Sequence, residues 1–265
     1  MQSADSLDFE ALLNVARFAA ERAGSYLLTV KADTMESTFK IDGSPVSEAD
    51  MRSNSLIREI LSETEIDVVS EETHDRLPPV DCYWLVDPLD GTKEYLRGDP
   101  HFTVNIALMV ESRPLIGVIV APALDEEHFA LNLGSLTGET VNVLFSPDDE
   151  VRIVCSESHP EGEEALFEAS SRPLNVCLMG SAIKFARVSE GAASIYPRLA
   201  GSSEWDTAAG QALIEATGGA VLQWPTLSPL TYGKPRRRNP GFIAHGKGCD
   251  VKDFLSVEAL KQVSQ

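Results

Sequence analysis

The N-terminal part of the chain carries an apolar repeat with helical spacing. Apolar side chains recur every three or four positions, at Phe9, Leu12, Leu13, Ala16, Ala20, Ala23 and Leu27. This spacing puts them on one face of a helix. The sequence therefore predicts an amphipathic first helix that packs on the body of the protein.

A second helix is predicted after Pro45. Ser47 and Asp50 have the spacing of a capping box, in which side chains satisfy the free amides of the first helical turn. An apolar face follows, made by Met51, Ile57, Ile60 and Leu61. Asp50 is therefore expected in the first turn of this helix.

Strand patterns dominate the middle of the chain. Asp67–Val69 and Tyr83–Val86 are short β-prone runs, and three longer runs follow at 102–110, 115–123 and 127–133. Pro, Gly or charged residues separate the longer runs, which is typical of an antiparallel meander.

The C-terminal half alternates strand and helix patterns. Strands are expected at 151–155, 176–179, 193–196, 220–224 and 242–245. Helices are expected at 181–190, from Asp206 to about Thr217, and from Val251. This order predicts an α+β fold with helices stacked against two sheets.

The chain reads as one domain with two lobes. Its 265 residues can bury a large core, and no repeat or low-complexity linker divides them. Turn-forming residues accumulate between Gly134 and Glu150. We therefore expect a single domain over 1–265, with lobes of approximately 1–140 and 141–265.

The charge balance restricts the partners. The chain has 41 acidic and 22 basic residues, which gives a net charge of −19. Such a charge disfavours nonspecific binding to nucleic acid or to anionic membranes. A phosphorylated small molecule would be repelled too, unless metal ions and a few placed cations supply local positive charge.

The sequence predicts a cytoplasmic protein without a transmembrane segment. Asp5, Asp8 and Glu10 lie where a signal peptide would need basic and apolar residues. No apolar run approaches the roughly 18 residues of a membrane span. The four cysteines match no zinc pattern and are expected to be reduced and mostly buried: Cys82, Cys155, Cys177 and Cys249.

The run Asp87–Thr92 is the densest group of oxygen donors. It follows the apolar run Tyr83–Val86, and Pro88 and Gly91 are expected to end that strand, so that Asp87 and Asp90 project from a turn. Two carboxylates this close repel each other, and a hard cation such as Mg²⁺ would offset the repulsion. The alternative is a turn whose carboxylates cap local backbone amides.

Two further acidic motifs strengthen the cation hypothesis. Ser70–Glu72 follows the Asp67–Val69 strand, and it can converge with Asp87 if the two strands are neighbours. Downstream, Glu204–Ala209 leads into a helix with Asp206 expected in the first turn. Taken alone, Asp206 could also be an ordinary partner of the helix dipole.

These three motifs resemble, in order, those of the inositol monophosphatase family of metal-dependent, lithium-sensitive phosphatases. The resemblance runs almost end to end. Lys93–Tyr95 and Phe102–Leu108 are similar to the bacterial 3'(2'),5'-bisphosphate nucleotidase branch of this family. Further similarity to that branch lies in Gly180–Phe185, Ile195–Arg198 and Asn239–Phe242.

The resemblance implies a fold, metals and a catalytic pair. The fold is the layered α-β-α-β-α sandwich shared with fructose-1,6-bisphosphatase-like proteins, with a metal-binding first lobe and a substrate-binding second lobe. Two or three Mg²⁺ ions per site are implied, held by Glu71, Asp87, the Leu89 carbonyl, Asp90 and Asp206. Asp50 and Thr92, with Glu71, are implied to activate the attacking water. As a helix cap, Asp50 would need no such role.

Substrate contacts are also implied. They include the metal-site residues Glu71, Leu89, Asp90, Gly91, Thr92 and Asp206, and they add Ser156, His159, Gly180, Ser181, Lys184 and Arg198. Arg198 is expected to meet a second phosphate. A helix start after Gly-Ser is a ready anion site. Lys184 could instead be solvated, and His159 could be a bystander.

The resulting hypothesis is a Mg²⁺-dependent phosphatase that removes the 3'-phosphate of adenosine 3',5'-bisphosphate and clears a by-product of sulfate assimilation. Its partner is a small phosphorylated nucleotide and not nucleic acid, and its oligomeric state stays open. By resemblance, peripheral contact with the inner membrane is compatible with the cytoplasmic location. The alternatives are an inositol or sugar phosphate monoesterase, or a noncatalytic cation-binding scaffold. The basic run Lys234–Arg238 is expected to be a solvated loop, and the alternative is that it raises the local potential near the cleft and attracts a doubly phosphorylated nucleotide.

Overall fold

The structure is a computed structural model that describes residues 7–30, 37–39, 45–73, 81–132, 150–157, 163–167 and 173–263. Six helices lie in these ranges: α1 Phe9–Thr29, α2 Glu48–Leu61, α3 Thr92–Arg97, α4 Ile183–Ser189, α5 Ala208–Ala216 and α6 Val257–Val263. The first seven strands are β1 Ser37–Phe39, β2 Pro45–Ser47, β3 Val68–Ser70, β4 Cys82–Asp90, β5 Thr103–Val110, β6 Arg113–Ala121 and β7 Glu126–Leu131. The other seven are β8 Val151–Ser156, β9 Leu174–Met179, β10 Ile195–Arg198, β11 Ser202–Ser203, β12 Ala220–Gln223, β13 Arg238–Asn239 and β14 Phe242–His245.

The first large sheet has the order β3-β4-β5-β6-β7. Strands β4 to β7 are antiparallel, as the meander prediction required, while β3 lies parallel to β4. The pairing of Ser70 with Val86 confirms that the strands before the first two acidic motifs are neighbours. The two motifs therefore leave the sheet side by side.

The second large sheet has the order β12-β14-β10-β8-β9. Strands β8, β9 and β10 are parallel, and β14 runs antiparallel to both β10 and β12. A separate pair, β11 with β13, joins Ser202 to Asn239 and Ser203 to Arg238. This small pair flanks the third acidic motif.

Three apolar clusters define the layers. Alternate residues of β4 point to opposite faces, so Trp84 and Val86 pack with α1 and α2, whereas Tyr83 and Leu85 pack toward α4 and α5. The far face of the second sheet packs on α6. The order helix, sheet, helix, sheet, helix confirms the predicted α+β layered fold.

Helix α5 contacts the first sheet unusually closely. A Cβ atom at Gly117 of β6 would lie 2.4 Å from the Ala209 carbonyl oxygen and 2.8 Å from the Ala212 Cβ. Only glycine allows this approach. The start of α5, and the acidic motif before it, are thereby fixed against the sheet that carries the other two motifs.

Several details differ from the sequence predictions. Met51 is 47% exposed, because the buried face of α2 instead includes the polar residues Asp50, Ser53 and Asn54. Cys177 is exposed on the edge strand β9, while only Cys155 and Cys249 are buried. Val251 begins a short 3₁₀ turn, and α6 starts six residues later. The turn-rich stretch after Gly134 lies outside the described residues.

No helix in the described ranges combines the length and apolar character that a membrane crossing requires.

A charged cluster joins β7 to α4 beside the core. His128 is flanked by Glu190 at 2.7 Å from Nδ1 and by Glu126 at 3.0 Å from Nε2, and Arg187 contacts both carboxylates. Burial lowers the pKa of His128, but the two carboxylates outweigh burial, so its net pKa is raised. The imidazolium therefore stabilises the contact between the two elements.

We predict that this cluster makes stability depend on pH. A raised folded-state pKa means that the contribution of His128 is fully present below the unfolded value of about 6.5 and is lost as pH rises through the folded value. The free energy of unfolding in urea should fall over this interval in the wild type. His128→Asn should flatten that decline, and an unchanged slope would contradict the assignment.

Candidate active site

A cavity of about 290 Å³ collects most of the predicted site residues. Those that line it are Glu71, Asp87, Leu89, Asp90, Gly91, Thr92, Ser156, Gly180, Ser181, Lys184, Arg198 and Asp206. Asp50 lies behind the wall, bonded to Thr92. His159 lies outside the described residues. The three acidic motifs, far apart in sequence, thus face one space.

A β-bulge shapes the Asp87–Thr92 segment. Asp87 pairs with Asn105 and Asp90 with Thr103, so β4 has one residue more than β5 between these pairs. Pro88 therefore does not end the strand, in contrast to the prediction, because the bulge absorbs it. The Leu89 amide donates to Asp87 Oδ1 at 3.1 Å. Both carboxylates consequently point from a rigid, irregular strand end.

Helix α2 supports this bulge with polar groups. Ser53 Oγ donates to the Pro88 carbonyl at 2.7 Å. Asp50 lies one turn before Ser53 in α2, and its Oδ1 atom is 3.2 Å from the Thr92 hydroxyl. The same hydroxyl lies 3.2 Å from the Leu89 carbonyl oxygen. Asp50 is 1% exposed. Only the face of α2 that packs on the bulge can make these hydrogen bonds. Ser53 and Asp50 are therefore buried although they are polar.

The sequence predicted Asp206 in the first turn of α5. In the structure, Asp206 instead precedes that helix. Residues 205–207 form a turn, and the first helical residue is Ala208, whose amide donates to the Glu204 carbonyl. Asp206 Oδ2 instead accepts the Ser203 amide at 2.9 Å. This bond folds the carboxylate back toward β11 and the cavity.

The cavity contains carboxylates and cationic side chains close together. Burial, followed by repulsion from Asp206, raises the pKa of Asp90 to about 6. Lys184 and Arg198 act against this shift, and Asn105 donates to Asp90 Oδ2 at 3.2 Å. Negative charge at Asp90 is therefore only partly compensated by the protein.

Lys184 is buried and not solvated. Its ammonium donates to the carbonyls of Met179 at 3.1 Å and Ser181 at 2.6 Å, and burial lowers its pKa to about 8. Ser181 has φ of +45°, a strained conformation for a residue other than glycine. Lys184 thus stabilises the Gly180–Ser181 loop by hydrogen bonds, and its main contribution to the cavity is its positive charge.

Gly180 allows this loop to approach α3. A Cβ atom at residue 180 would lie 2.6 Å from the His101 carbonyl oxygen and 2.7 Å from Glu94 Cγ. The cavity wall between the loop and the Asp87–Thr92 segment therefore depends on glycine at this position.

Some lining residues were absent from the predicted site. They are Lys93, Glu94, Ala182, Phe185, Tyr196, Ser202, Ser203, Thr207, Arg238 and Phe242. Tyr196 and Arg198 are alternate residues of β10, and strand periodicity could have identified Tyr196. The solvated-loop reading of the basic run was wrong in part. Arg238 belongs to β13, and Lys234 contacts the fully buried Glu204.

The donor set fits a hard cation. As they stand, no three described carboxylate, imidazole or thiol side chains form an arrangement that could hold a metal ion. The described lining nevertheless offers carboxylates and the Leu89 carbonyl without any thiol or imidazole, the chemistry that Mg²⁺ prefers. The raised pKa of Asp90 shows that added positive charge would be favourable there.

The fold and cavity define an α+β protein with an acidic, oxygen-lined site between two sheets. A model of the inositol monophosphatase family matches residues 8–241, so the chain belongs to that family. This confirms the resemblance drawn from the three motifs.

Similar proteins include curated relatives and solved structures. The 3'(2'),5'-bisphosphate nucleotidase CysQ of Salmonella typhimurium is 38% identical over 84% of this chain and 95% of the relative. The crystal structure of CysQ from Bacteroides thetaiotaomicron has a TM-score of 0.77 and 35% identity, and the match covers 91% of this chain and 99% of that one. An inositol monophosphatase structure from Anabaena has a TM-score of 0.72 and 26% identity, with 97% and 98% covered.

We predict that Lys184→Met releases the Gly180–Ser181 loop. Two carbonyls lose a charged donor, so hydrogen exchange of amides 180–182 should accelerate roughly 10- to 100-fold. Amides of α5 should keep their rates, and the exposed Lys261→Met serves as a control. A lysine that only contacts substrate would leave loop exchange unchanged while weakening substrate binding.

Proposed function

We propose that the protein is a phosphatase that hydrolyses the 3'-phosphate of adenosine 3',5'-bisphosphate to AMP and phosphate. One observation carries the proposal: Glu71, Asp87, Asp90 and Asp206 converge on a cavity that also holds Thr92 and cationic side chains. The bisphosphate nucleotidase names of the curated relatives supply the substrate class.

The metal in this proposal is Mg²⁺, with two or three ions in the site. Glu71, Asp87, Asp90, Asp206 and the Leu89 carbonyl would hold it. When bound, Mg²⁺ supplies Lewis-acid stabilisation of phosphate charge and makes water a better nucleophile. The protein's own contribution is to hold repelling carboxylates at fixed positions before the cation arrives.

Thr92 and Asp50 form the proposed proton path. Asp50 accepts the hydroxyl proton of Thr92, which leaves lone pairs of Oγ1 free to accept hydrogen from water in the cavity. As that water attacks phosphorus and the bond from phosphorus to the ribose 3'-oxygen breaks, the water proton passes to Thr92 and the threonine proton to Asp50, and the departing 3'-oxygen takes a proton from solvent. The buried Asp50 fixes the direction of this transfer because it orients the hydroxyl.

Arg198 is proposed to bind the phosphate that is not cleaved. The residue lines the cavity, its charge interacts with Asp206 and Asp90, and its Nε atom is buried without a hydrogen-bond partner among the described residues. Ser156 and the Gly180–Ser181 loop line the same wall. A planar guanidinium suits phosphate oxygens better than the Lys184 ammonium, which already gives two of its three hydrogens to loop carbonyls.

This activity would place the protein in the cytoplasm, where it removes a by-product of sulfate assimilation.

Asp90→Asn tests the metal site. Turnover should fall by several orders of magnitude at saturating Mg²⁺, because the variant removes charge from the cation site. The metal-free protein should be as stable as the wild type or more so, since at neutral pH the variant relieves repulsion with Asp206. Thermal unfolding and phosphate release measure the two effects. Near wild-type turnover would show that the metal assignment is wrong.

Arg198→Ala separates the nucleotidase from an inositol or sugar phosphate monoesterase. For adenosine 3',5'-bisphosphate we expect a loss of about 1.5–3 kcal/mol, or roughly 10- to 150-fold in kcat/KM. Hydrolysis of 3'-AMP uses the same Thr92 and Asp50 but lacks the second phosphate, so it should change little.

Equal losses on the two nucleotides would instead assign Arg198 a structural role. A wild-type preference for inositol phosphates over the bisphosphate would overturn the substrate proposal itself.

A further inference from the structure

The turn that carries Asp206 is bracketed by one side chain from a distant segment. Asn239 Nδ2 donates to the Ser203 carbonyl at 3.2 Å and to Thr207 Oγ1 at 2.7 Å. These two acceptors lie three residues before Asp206 and one residue after it. The amide of Ser203 donates to Asp206 Oδ2. Asn239 therefore binds the carbonyl of the same residue whose amide orients the Asp206 carboxylate.

Lys234 fixes which way the Asn239 amide faces. Its ammonium donates to Asn239 Oδ1 at 2.9 Å and also to the Thr231 carbonyl. An ammonium has only donors, so the amide oxygen must face Lys234 and the NH₂ group must face the turn. The arrangement therefore has one consistent orientation.

Glu204 anchors Lys234 in turn. Its side chain is 0% exposed, and Oε1 accepts the Lys234 amide at 3.0 Å and the ammonium at 3.4 Å. The Glu204 amide donates to the Arg237 carbonyl, and its carbonyl accepts the first amide of α5. Both ends of the network are thus tied to the backbone on either side of Asp206.

We propose that Lys234 and Asn239 are positioning residues that preorganise Asp206 for cation binding, an inference that rests on the metal role given to Asp206 above. Neither residue lines the cavity or touches substrate in this scheme. Without these two side chains the turn samples other conformations. The apparent affinity for Mg²⁺ is then the intrinsic affinity multiplied by the fraction of molecules in which Asp206 keeps its position.

The expected signature is a loss of metal affinity without a matching loss of chemistry. In Asn239→Ala and Lys234→Met, the Mg²⁺ concentration for half-maximal activity should rise about 10-fold or more. Turnover at saturating Mg²⁺ should stay within about threefold of wild type, because the bound cation restores the geometry.

A readout without substrate makes the test independent of turnover. Mg²⁺ is titrated into each protein while its Tm and its tryptophan fluorescence, to which Trp205 next to Asp206 contributes, are followed. The Mg²⁺-dependent rise in Tm should shift to higher concentration in both variants. Ser194→Ala removes a buried hydroxyl that accepts the Arg152 amide in the second sheet, and it should leave the Mg²⁺ titration unchanged.

Asp206→Asn separates the two levels of the proposal. Loss of the Mg²⁺ response in Asp206→Asn together with a wild-type response in Asn239→Ala and Lys234→Met would overturn the positioning role alone. A wild-type response in Asp206→Asn would overturn the metal role of Asp206 and the positioning role with it. If Asn239→Ala fails to fold, the partly exposed Lys234→Met decides, and a lowered Tm with an unchanged Mg²⁺ dependence counts against the proposal.

Discussion

The repulsion between carboxylates that share one partly buried cavity is the constraint on which the rest of this structure depends. Asp90 ends a strand of the first sheet, whereas Asp206 comes from a turn between β11 and α5. Burial, followed by repulsion from Asp206, raises the pKa of Asp90 to about 6. Each carboxylate therefore needs a local donor of its own, Asn105 for Asp90 and the Ser203 amide for Asp206. These donors orient the oxygens without neutralising them, and the site remains attractive to a cation.

The backbone and the helix packing are irregular where the cavity carboxylates lie. Strand β4 accepts a bulge at Pro88, and α2 buries Ser53 and Asp50 where an apolar stripe would have packed more simply. Buried polar groups are costly unless they are hydrogen-bonded, and both of these are. The apolar layers on either side, together with the close contact at Gly117, stabilise the fold around this polar seam.

The periodic elements and the contiguous motifs could be predicted from sequence, because both depend on near neighbours in the chain. The long helix α1, the meander and the convergence of the first two acidic motifs followed from local pattern. Local pattern did not predict contacts between distant segments, and the pairing of Asp50 with Thr92 was expected only from the family resemblance. The start of α5 after Asp206, the burial of Lys184 and the pairing of Lys234 with Glu204 each depend on a partner that no local spacing reveals. Cys177 was misassigned for the same reason, since the edge position of β9 is a property of sheet order.

The buried Lys184 and the partly buried Arg198 offer a way for a chain with a net charge of −19 to attract an anion with specificity. Lys184 gives two of its three hydrogens to loop carbonyls, so it contributes mainly charge and shape, with one donor left for a ligand. Arg198 interacts with Asp90 and Asp206 and hydrogen-bonds to Tyr196, while its buried Nε atom has no hydrogen-bond partner among the described residues. Attraction and recognition are thereby assigned to different residues. In the proposed function, a phosphate would be attracted by the summed charge of the cations in the cavity, and Arg198 would then set its position.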